Sequence, residues 1–442
     1  MSQQTPKALL LQSIVSRFEQ RVNEFLDYAE SYPEASFAEL EAQARKLSRD
    51  CLAPALEAVV QAQQESAEAW VGCECGQIPA YKGEQQRSQE TYVGRIQWWR
   101  GYYYCTHCRR GRYPLDELLG IGPGAFSEGL QAGVSRLGAA LPFRAAADTL
   151  TALSAVSISA REVERITEGR GMALEAQLAE EQDRLLSGQA LLASVESPKG
   201  PGVWTVALDA ARVRFYDGWH EAKAGVVFWA KPRPEGAEAE EQSYVVEVGP
   251  MDEAGTRLYA EAVRRGIDVG EELVVCLGDG AASNWNQFGL HFAKRVEVLD
   301  WYHALEHLWA AGNGVFGEGS AEALAWVEGR KAELWGGKVE EVIDALARQA
   351  KQPKGKAAQD EIHYFETNRE RMRYKEHRTK GYPIGSGTVE SACKRVIGAR
   401  VKQAGMCWSQ PGAQAVLTLR AELLSGRWEE AWQMTRPLRK AA

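Results

Sequence analysis

The sequence contains no long hydrophobic run and no charged segment followed by an apolar leader. Its most apolar stretch, around residues 137–156, is interrupted by Pro142, Arg144 and Asp148. A membrane-spanning helix needs about 20 apolar residues, and a secretory signal joins a charged start to an apolar segment. We therefore expect a cytoplasmic protein.

An excess of positive charge is also missing, because 52 Lys and Arg face 60 Asp and Glu and give a net charge of −8. This balance argues against a protein that coats polyanions with its whole surface. Basic residues are concentrated at the C-terminal end, where residues 366–442 carry 15 Lys or Arg and 7 Asp or Glu. With 442 residues, of which 45% are hydrophobic, the chain is long enough for several domains of about 100–200 residues each.

Cysteine is limited to eight residues, which in the cytosol are metal ligands or packed thiols rather than a disulfide framework. Two close pairs, Cys73 with Cys75 and Cys105 with Cys108, flank a segment rich in Tyr, Trp, Val and Ile. Two turns that each present two thiolates are typical of a zinc ribbon with four sulfurs around one ion. The first pair has one intervening residue rather than two, and four unconnected cysteines are the alternative. Nearby arginines and aromatics suit either DNA contacts or a small structural core.

The segment before the cysteines predicts helices. Residues 9–64 lack glycine and carry apolar residues at helical spacing, with Pro33 and Pro54 as interruptions. We expect two or three helices there. Dimerisation and simple packing both suit such helices.

The segment after the cysteines predicts a pair of helices. Residues 143–153 form the first, and Ser159 with Glu162 forms a capping box that opens the second. Helix, short turn and helix make a helix-turn-helix candidate, in which Arg161 and Arg165 are available to DNA. Ordinary packing of two helices is the alternative.

From residue 203 onward the pattern changes to strands. Residues 203–208 form an apolar run that ends at Asp209, and a second apolar run, residues 272–277, ends just before Asp279. Further strands fit residues 212–216, 223–231, 244–248 and 296–299, and a helix fits residues 254–265. A three-strand meander followed by alternating helices and strands is the order of a ribonuclease H-like mixed sheet, so we expect an α/β core.

Three carboxylates in this part of the chain are candidate metal ligands. Asp209 and Asp279 stand where predicted strands end, which is where ligands bind in mixed sheets, although each would also cap a turn or a helix. Glu390 lies in the first turns of a helix that glycines introduce, on one face with Lys394. Those two residues suit a metal and a phosphate, or a solvated surface pair. The basic residues expected near phosphates are Lys394, Arg395, Arg400 and Lys402.

The chain resembles bacterial insertion-sequence transposases of the ISKra group in several blocks that occur in the same order. The C-terminal blocks are Gly385-Ser-Gly-Thr-Val-Glu390-Ser-Ala-Cys-Lys394-Arg395 and Gly405-Met-Cys-Trp408. The earlier blocks are Leu208-Asp209-Ala-Ala-Arg, Asp217-Gly-Trp-His, Gly278-Asp279-Gly280 and Asp300-Trp-Tyr-His303. The resemblance covers residues 204–432.

This resemblance implies an Asp-Asp-Glu transposase on a ribonuclease H-like core, similar to the Mutator-like group of eukaryotic elements. By position, the triad is Asp209, Asp279 and Glu390, which would hold two Mg²⁺ or Mn²⁺ ions, since hard cations prefer carboxylate oxygens. Asp300 and His303 would be an accessory block. The implied all-α insertion covers residues 304–380.

The implied partner is double-stranded DNA, both as the terminal repeats of the element and as the target. Because two ends must be joined, we expect a homodimer or a higher oligomer, associated with the nucleoid when bound to DNA. The expected domains are a helical region (1–64), a zinc-ribbon-like domain (65–120), a helix-turn-helix-like module (121–192), a catalytic domain (193–410) and a C-terminal helical tail (411–442).

Two other functions fit parts of the sequence. One is a DNA-binding regulator whose triad has decayed. The other is a zinc peptidase, because His303-Ala-Leu-Glu306-His307 matches the H-x-x-E-H pattern of two zinc ligands and a general base. Trp408, beside the basic helix, suits stacking on an unpaired DNA base or, in the interpretation we favour, packing in a core.

Overall fold

The computed structural model describes residues 6–154, 156–189, 200–233, 236–385 and 387–435. These residues divide into two compact units. The N-terminal unit comprises the residues up to Gly138 together with Pro142–Ile166, and the C-terminal unit comprises Ala139–Leu141 and Thr167–Thr435. The domain boundary expected at residue 193 lies in residues 190–199, outside the described residues, as does the end of the expected tail, residues 436–442.

Two long helices, α1 (Pro6–Ser31) and α2 (Phe37–Ala62), begin the N-terminal unit. Pro33 lies in the turn between them, as predicted, but Pro54 lies inside α2, so the predicted interruption there is wrong. A proline inside a helix removes one backbone hydrogen bond. Here Ala53 and Val60 of the same helix pack against the core of the neighbouring sheet, and this packing stabilises the helix across the proline.

That sheet has three antiparallel strands in the order β1-β2-β3. They are β1 (Ala80–Thr91), β2 (Gly94–Cys105) and β3 (Arg110–Arg112), and α3 (Pro114–Leu119) follows them. Ile96, Trp98 and Leu115 form its buried core. The unit therefore contains a small apolar core beneath one helix, with the four paired cysteines at one end of the sheet.

Three further helices follow, α4 (Glu128–Ala140), α5 (Phe143–Ser154) and α6 (Ala160–Leu186). The predicted helix, turn and helix are therefore present as α5 and α6. Ser159 Oγ accepts a hydrogen bond from the backbone N–H of Glu162 at 3.2 Å, whereas the Glu162 carboxylate pairs with Arg165 at 2.8 Å. The predicted cap of α6 thus begins the helix, and its glutamate turns toward a neighbouring arginine.

The C-terminal unit is built on a mixed five-stranded sheet in the order β6-β5-β4-β7-β8. The strands are β4 (Val203–Phe215), β5 (Gly218–Arg233), β6 (Gly236–Glu247), β7 (Val274–Gly278) and β8 (Arg295–Leu299). The first three form an antiparallel meander, while β7 pairs in parallel with both β4 and β8. The predicted mixed α/β architecture is confirmed.

One strand is longer than predicted, because residues 203–208 and 212–216 lie mostly on the single strand β4. The parallel ladder of β4 with β7 ends at Ala207 opposite Leu277, whereas its antiparallel ladder with β5 continues to Phe215 opposite Gly218. The first part is covered on both faces and is apolar except for the buried Thr205. The second part is covered on one face, so its buried and exposed side chains alternate. This change of pattern along one strand led to the prediction of two strands.

Helices make up most of the rest of this unit. They are α7 (Met251–Arg264), α8 (Ala282–His291), α9 (Trp301–Phe316), α10 (Ala321–Trp335), α11 (Val339–Ala350), α12 (Lys356–Asn368), α13 (Tyr374–Thr379), α14 (Gly387–Ala392), α15 (Ala399–Val401), α16 (Gln410–Leu424) and α17 (Trp428–Met434). A π-helical segment, Cys393–Gly398, joins α14 to α15. Residues 304–380 contain helices and no strand. None of the described helices combines the length and apolar character that crossing a membrane requires.

Close packing of α6 on α16 gives a testable prediction about stability. A Cβ atom on Gly171 would lie 2.2 Å from the carbonyl oxygen of Ala415, and backbone cannot move away as a flexible side chain does. We expect Gly171→Ala to lower the free energy of unfolding by about 1–3 kcal/mol, measured by urea denaturation of the full chain.

The matched control is Gly169→Ala, two residues away on the same helix, where a Cβ would meet nothing within 4 Å. That change should raise the free energy of unfolding by about 0.5–1 kcal/mol, because alanine favours helix over glycine. Equal effects of the two substitutions would contradict this packing.

Candidate functional sites

Three aspartates lie at the same level of the parallel part of the sheet. Asp209 and Asp279 each follow by two residues the last ladder pair of β4 and β7, Ala207 opposite Leu277. Asp279 and Asp300 each follow directly the last ladder pair of β7 and β8, Gly278 opposite Leu299. Since neighbouring strands lie about 4.8 Å apart, two candidate ligands predicted separately from the sequence stand side by side.

The carboxylate of Asp279 is held by donors from the helix that follows it. Its Oδ1 accepts hydrogen bonds from the backbone N–H of Ala281 at 2.9 Å and from the amide of Asn284 at 3.1 Å. The same amide nitrogen donates to the carbonyl of Leu208 at 3.3 Å. Asn284 therefore links the Asp279 carboxylate to the residue that directly precedes Asp209.

A tyrosine from α12 reaches the same turn. Tyr364 donates its hydroxyl proton to the backbone carbonyl of Asp279 at 3.0 Å, and its ring stacks on His307 with centroids 3.6 Å apart. A Cβ on Gly280, where φ is +103°, would lie 2.8 Å from the tyrosine ring. Glycine at this position therefore permits both the turn and the close approach of α12.

The Asp209 carboxylate lies in a poorly solvated position. Burial raises its pKa, and the negative charge of Asp279 raises it further. The backbone N–H of Ala210 donates to Oδ1 of Asp209 at 2.7 Å, and the thiol of Cys393 also hydrogen-bonds to this carboxylate. A divalent cation would stabilise the charged form of Asp209 beside the neighbouring carboxylate of Asp279, so the donor set fits such an ion.

Glu390 lies on the helix that touches Asp209. It is three residues before Cys393, a spacing that places both side chains on the same side of a helix. Its side chain is 37% exposed and its Oε2 lies 3.5 Å from Nζ of Lys394, so the predicted pair with Lys394 is present. Both α14 and the π-helical segment pack against β4 and β5, which brings this helix to the strand that carries Asp209.

The carboxylate oxygens of Asp209, Asp279 and Glu390 do not surround a single point. Among the described residues, ligand atoms of three or more His, Cys, Asp or Glu lie within 4.8 Å of one another only at the four paired cysteines. The ligands of one ion would meet that limit. Ligands shared between two ions about 3.5–4 Å apart spread more widely.

Asp300 and His303 form an ion pair beside these carboxylates. Asp300 is fully buried, its Oδ1 accepts a hydrogen bond from the backbone N–H of Tyr302 at 2.6 Å, and its Oδ2 lies 3.7 Å from Nδ1 of His303. This contact raises the pKa of His303 to about 9, and Glu306 and Asp279 add to the effect. His303 is therefore a cation at neutral pH.

The histidines of the H-x-x-E-H pattern have different partners. His303 pairs with Asp300, whereas Nδ1 of His307 lies 2.5 Å from the carboxylate of Glu361. A peptidase zinc ion needs three protein ligands around one point. In the described part of the chain, no group of three ligands within 4.8 Å includes either histidine.

The four paired cysteines lie together at one end of the N-terminal sheet. The sulfurs of Cys73 and Cys108 are 3.3 Å apart, those of Cys75 and Cys105 are 3.5 Å apart, and all four lie within 4.8 Å of one another. Four ligands at about 2.3 Å from a tetrahedral zinc ion have sulfurs about 3.8 Å apart. The group fits a zinc ion, as predicted.

Backbone N–H groups favour the thiolate of Cys105, whereas burial and neighbouring thiols raise the pKa of Cys73 and Cys75. The backbone N–H of Cys108 donates to the sulfur of Cys105 and, together with the thiols of Cys108 and Cys75 and the backbone N–H of His107, lowers its pKa to about 6. A tight turn on the other side, in which the N–H of Gly76 donates to the carbonyl of Cys73 at 2.8 Å, brings in the first pair. Because the thiolate is the form that binds metal, these donors favour binding.

The basic residues predicted to contact DNA fall into two classes. Arg161, Lys394, Arg395 and Lys402 are exposed, as is Arg165, which pairs with Glu162. Arg400 and Trp408 are only 0% and 6% exposed, with the guanidinium 4.9 Å above the indole. Their predicted DNA contacts are therefore wrong, and the favoured packing of Trp408 in a core is confirmed. The backbone of Trp408 forms hydrogen bonds with Arg214 and Tyr216 at the end of β4, a long-range contact that the charge pattern does not reveal.

Two arginines near the cysteines also have structural partners. Arg87 pairs with Asp116 at 2.7 Å, and Arg100 pairs with the same carboxylate. All three side chains are nearly buried. They join β1, β2 and α3, so their role in the N-terminal unit is to stabilise the small sheet.

Sequence reasoning missed three residues of the carboxylate site, Cys393, Asn284 and Tyr364. Cys393 is three residues from Glu390, so its helical spacing was a usable signal. Asn284 lies in the first turns of the helix after Asp279, where a polar side chain returns easily to the preceding turn. The contact of Tyr364 joins residues 85 positions apart and has no local signal.

Zinc binding by the four cysteines is directly testable. We expect the purified chain to contain one zinc ion, and Cys105→Ser to lose it, because that change removes one ligand of four. Inductively coupled plasma mass spectrometry measures the content. Cys51→Ser, which alters a half-buried thiol of α2, should keep the zinc; zinc retention by the Cys105 variant would rule out this site.

The Asp300 contact predicts the titration of His303. Because the pKa of His303 in the folded chain is raised to about 9, its contribution to stability is fully present below about 6.5, the ordinary value for histidine, and is lost as the pH rises through 9. Asp300→Asn should move the pKa of His303 down toward the ordinary value, as followed by NMR of the imidazole. An unchanged titration in that variant would show that Asp300 is not the cause; His220, paired with the exposed Asp217, is an internal reference.

Comparison with known proteins provides no assignment for these sites. No protein-family model matches the chain, and no curated protein matches it. The function is therefore inferred from the geometry of the carboxylates and the cysteines.

Proposed function

We propose that the chain is an Asp-Asp-Glu DNA transposase, which binds the ends of an insertion sequence and catalyses strand cleavage and strand transfer. The observation that carries the proposal is the placement of Asp209 and Asp279 at the same level of adjacent parallel strands. Glu390, the proposed third member, lies one helical turn from a thiol that contacts Asp209. This arrangement supports a centre for phosphoryl transfer.

The strand order supports a ribonuclease H-like core for this activity. An antiparallel meander whose first strand, β4, also pairs in parallel with β7, which in turn pairs with β8, is the order expected of that fold. In this proposal the helices of residues 304–380 are an insertion between the strand region and the helix of Glu390. Tyr364, from α12 of that insertion, contacts the turn at Asp279 and would position it.

The proposed cofactors are two Mg²⁺ or Mn²⁺ ions. Asp209 would contact both ions, and Asp279 and Glu390 would each hold one. When bound, such ions activate a water or a 3′-hydroxyl on one side of a phosphorus and stabilise the departing oxygen on the other. The chain's own contribution is to fix the carboxylates: Asn284 and Ala281 hold Asp279, and Ala210 and Cys393 hold Asp209.

Cations beside the carboxylates would bind the DNA backbone. His303 is protonated at neutral pH because of Asp300, and Lys394 is exposed next to Glu390. Arg395 and Lys402 are also exposed on the same helical region. Such charges orient phosphates next to a metal centre, and the resulting affinity falls with salt.

The N-terminal unit would recognise DNA. We propose that its four cysteines bind a structural zinc ion and that α5 and α6 act as a helix-turn-helix-like module, with Arg161 and Arg165 exposed on α6. The expected partners are the terminal repeats of the element and its target DNA, bound by a homodimer or a higher oligomer. The proposed compartment is the cytoplasm, at the nucleoid when bound.

The alternative function is a catalytically decayed DNA-binding regulator, which a cleavage assay distinguishes from an active transposase. It would bind the same DNA without cutting it. The zinc peptidase is less supported, because His307 is engaged by Glu361 and the histidines belong to no three-ligand group in the described residues.

The test is cleavage of a labelled duplex that carries the terminal repeat of the element, in Mg²⁺ or Mn²⁺. We expect nicking at the repeat boundary, and we expect Asp209→Asn, Asp279→Asn and Glu390→Gln each to reduce its rate by more than about a hundredfold, because each removes a metal ligand. Binding of the duplex, measured by gel shift, should persist in all three variants.

The matched control is Glu306→Gln, which should keep cleavage because Glu306 is not a proposed ligand. Binding without cleavage by the unmodified chain would favour the decayed regulator. Absence of both activities in a folded chain would reject the transposase, and proteolysis that depends on Glu306 would favour the peptidase.

A further inference from the structure

The hairpin of β4 and β5 extends beyond the level of the candidate site. The two strands remain paired from Asp209 opposite Ala224 to Phe215 opposite Gly218, and Tyr216 and Asp217 form the two-residue turn. At about 3.3 Å per residue, Arg214 lies about 17 Å along the strand from Asp209. That distance corresponds to about five nucleotides of a DNA strand at 3.4 Å each.

One face of this extension is buried and fixed. Val213 and Phe215 are 0% and 2% exposed. The backbone N–H of Tyr216 donates to the carbonyl of Trp408 at 3.0 Å, and the N–H of Trp408 donates to the carbonyl of Arg214 at 3.2 Å. The amide of Gln410 adds a bond to Asp217 at 3.3 Å. Three hydrogen bonds thus fasten the end of the hairpin to residues 408–410.

The other face carries aromatic and basic side chains in solvent. Trp219 is 62% exposed and Tyr216, in the turn, is 77% exposed. Arg214 stands directly opposite Trp219, and Arg212 stands opposite Glu221. Both arginines are exposed, and in the described part of the chain their side chains form no ion pair or hydrogen bond. Arg212, Arg214, Tyr216 and Trp219 are called the hairpin surface below.

We propose that the hairpin surface binds single-stranded DNA next to the cleavage site, with bases stacked on Trp219 and Tyr216 and phosphates paired with Arg212 and Arg214. Flat exposed rings beside free cations are the combination that binds unpaired strands without reading their sequence. The inference rests on the proposed function, since cleavage near Asp209 creates a strand end there, and an end whose terminal base pairs open provides single-stranded DNA within reach of the hairpin. Trp219 thus takes the stacking role that the buried Trp408 cannot have.

The test uses a fluorescently labelled twelve-nucleotide oligothymidine and the full chain, with affinity measured by anisotropy across salt concentrations. We expect Trp219→Ala to weaken binding about tenfold, because stacking on one aromatic ring is lost. Trp219→Phe should bind nearly as well as the unmodified chain, and Trp219→Leu, which keeps apolar bulk without the ring, should be as weak as the alanine variant.

The arginines have a separate readout. Replacing each of Arg212 and Arg214 by Gln should reduce the slope of log affinity against log salt by about 0.7, the value for one phosphate contact on a single strand. Arg348→Gln, an exposed arginine of α11, is the matched control and should leave both slope and affinity unchanged.

Three results would overturn the inference. The first is equal affinity of the Trp219→Ala and unmodified chains for oligothymidine. The second is equal affinity of the Trp219→Leu and Trp219→Phe variants. The third is a change of oligomeric state of the Trp219→Ala variant, measured by light scattering, with unchanged affinity, which would assign the surface to self-association.

The proposed function fails separately, if the unmodified chain binds oligothymidine through Trp219 but does not cut the terminal repeat. Conversely, cleavage of the repeat without dependence of oligothymidine binding on Trp219 would reject only the hairpin surface.

Discussion

Parallel pairing of β4 with β7 is the constraint on which the candidate site depends. Its register places Ala207 opposite Leu277, and this alone sets Asp209 beside Asp279. A shift by one residue would turn every side chain of a strand to the opposite face of the sheet. Trp204, Val206 and Cys276 would then leave the core that α7 and α8 cover. The packing of these side chains therefore fixes the register, and the register fixes the positions of the carboxylates.

The carboxylate site concentrates negative charge where solvation is poor. Burial and the charge of Asp279 raise the pKa of Asp209, and Asp300 is fully buried. Two neutral hydrogen-bond donors and one cation offset part of this cost. The amide of Asn284 donates to Asp279, the backbone N–H of Ala210 donates to Asp209, and the protonated ring of His303 lies 3.7 Å from Asp300. Neutral donors orient carboxylates without neutralising them, which leaves a site that divalent cations would stabilise further.

The N-terminal unit depends on polar links for its stability, because its sheet has little apolar surface to bury. Its core cluster contains Ile96, Trp98 and Leu115, and a sheet of this size gains from additional links. The two arginines that share Asp116 provide one link, and the four cysteine sulfurs at the end of β2 provide a place for another. Metal binding at such a group adds its free energy directly to folding.

Local patterns of the sequence determined the element types, the paired cysteines and the candidate aspartates, because hydrophobic periodicity, turn residues and ligand spacing act over a few neighbouring residues. Pro54, the unbroken strand β4 and the burial of Arg400 differed from those patterns, since packing against distant elements outweighed local preference. Only the tertiary structure decided which residues meet: Asp209 with Cys393, Tyr364 with the carbonyl of Asp279, and Arg214 with Trp219 on an open face. The physical reason is that strand register and helix packing depend on the whole buried surface, which no short segment contains.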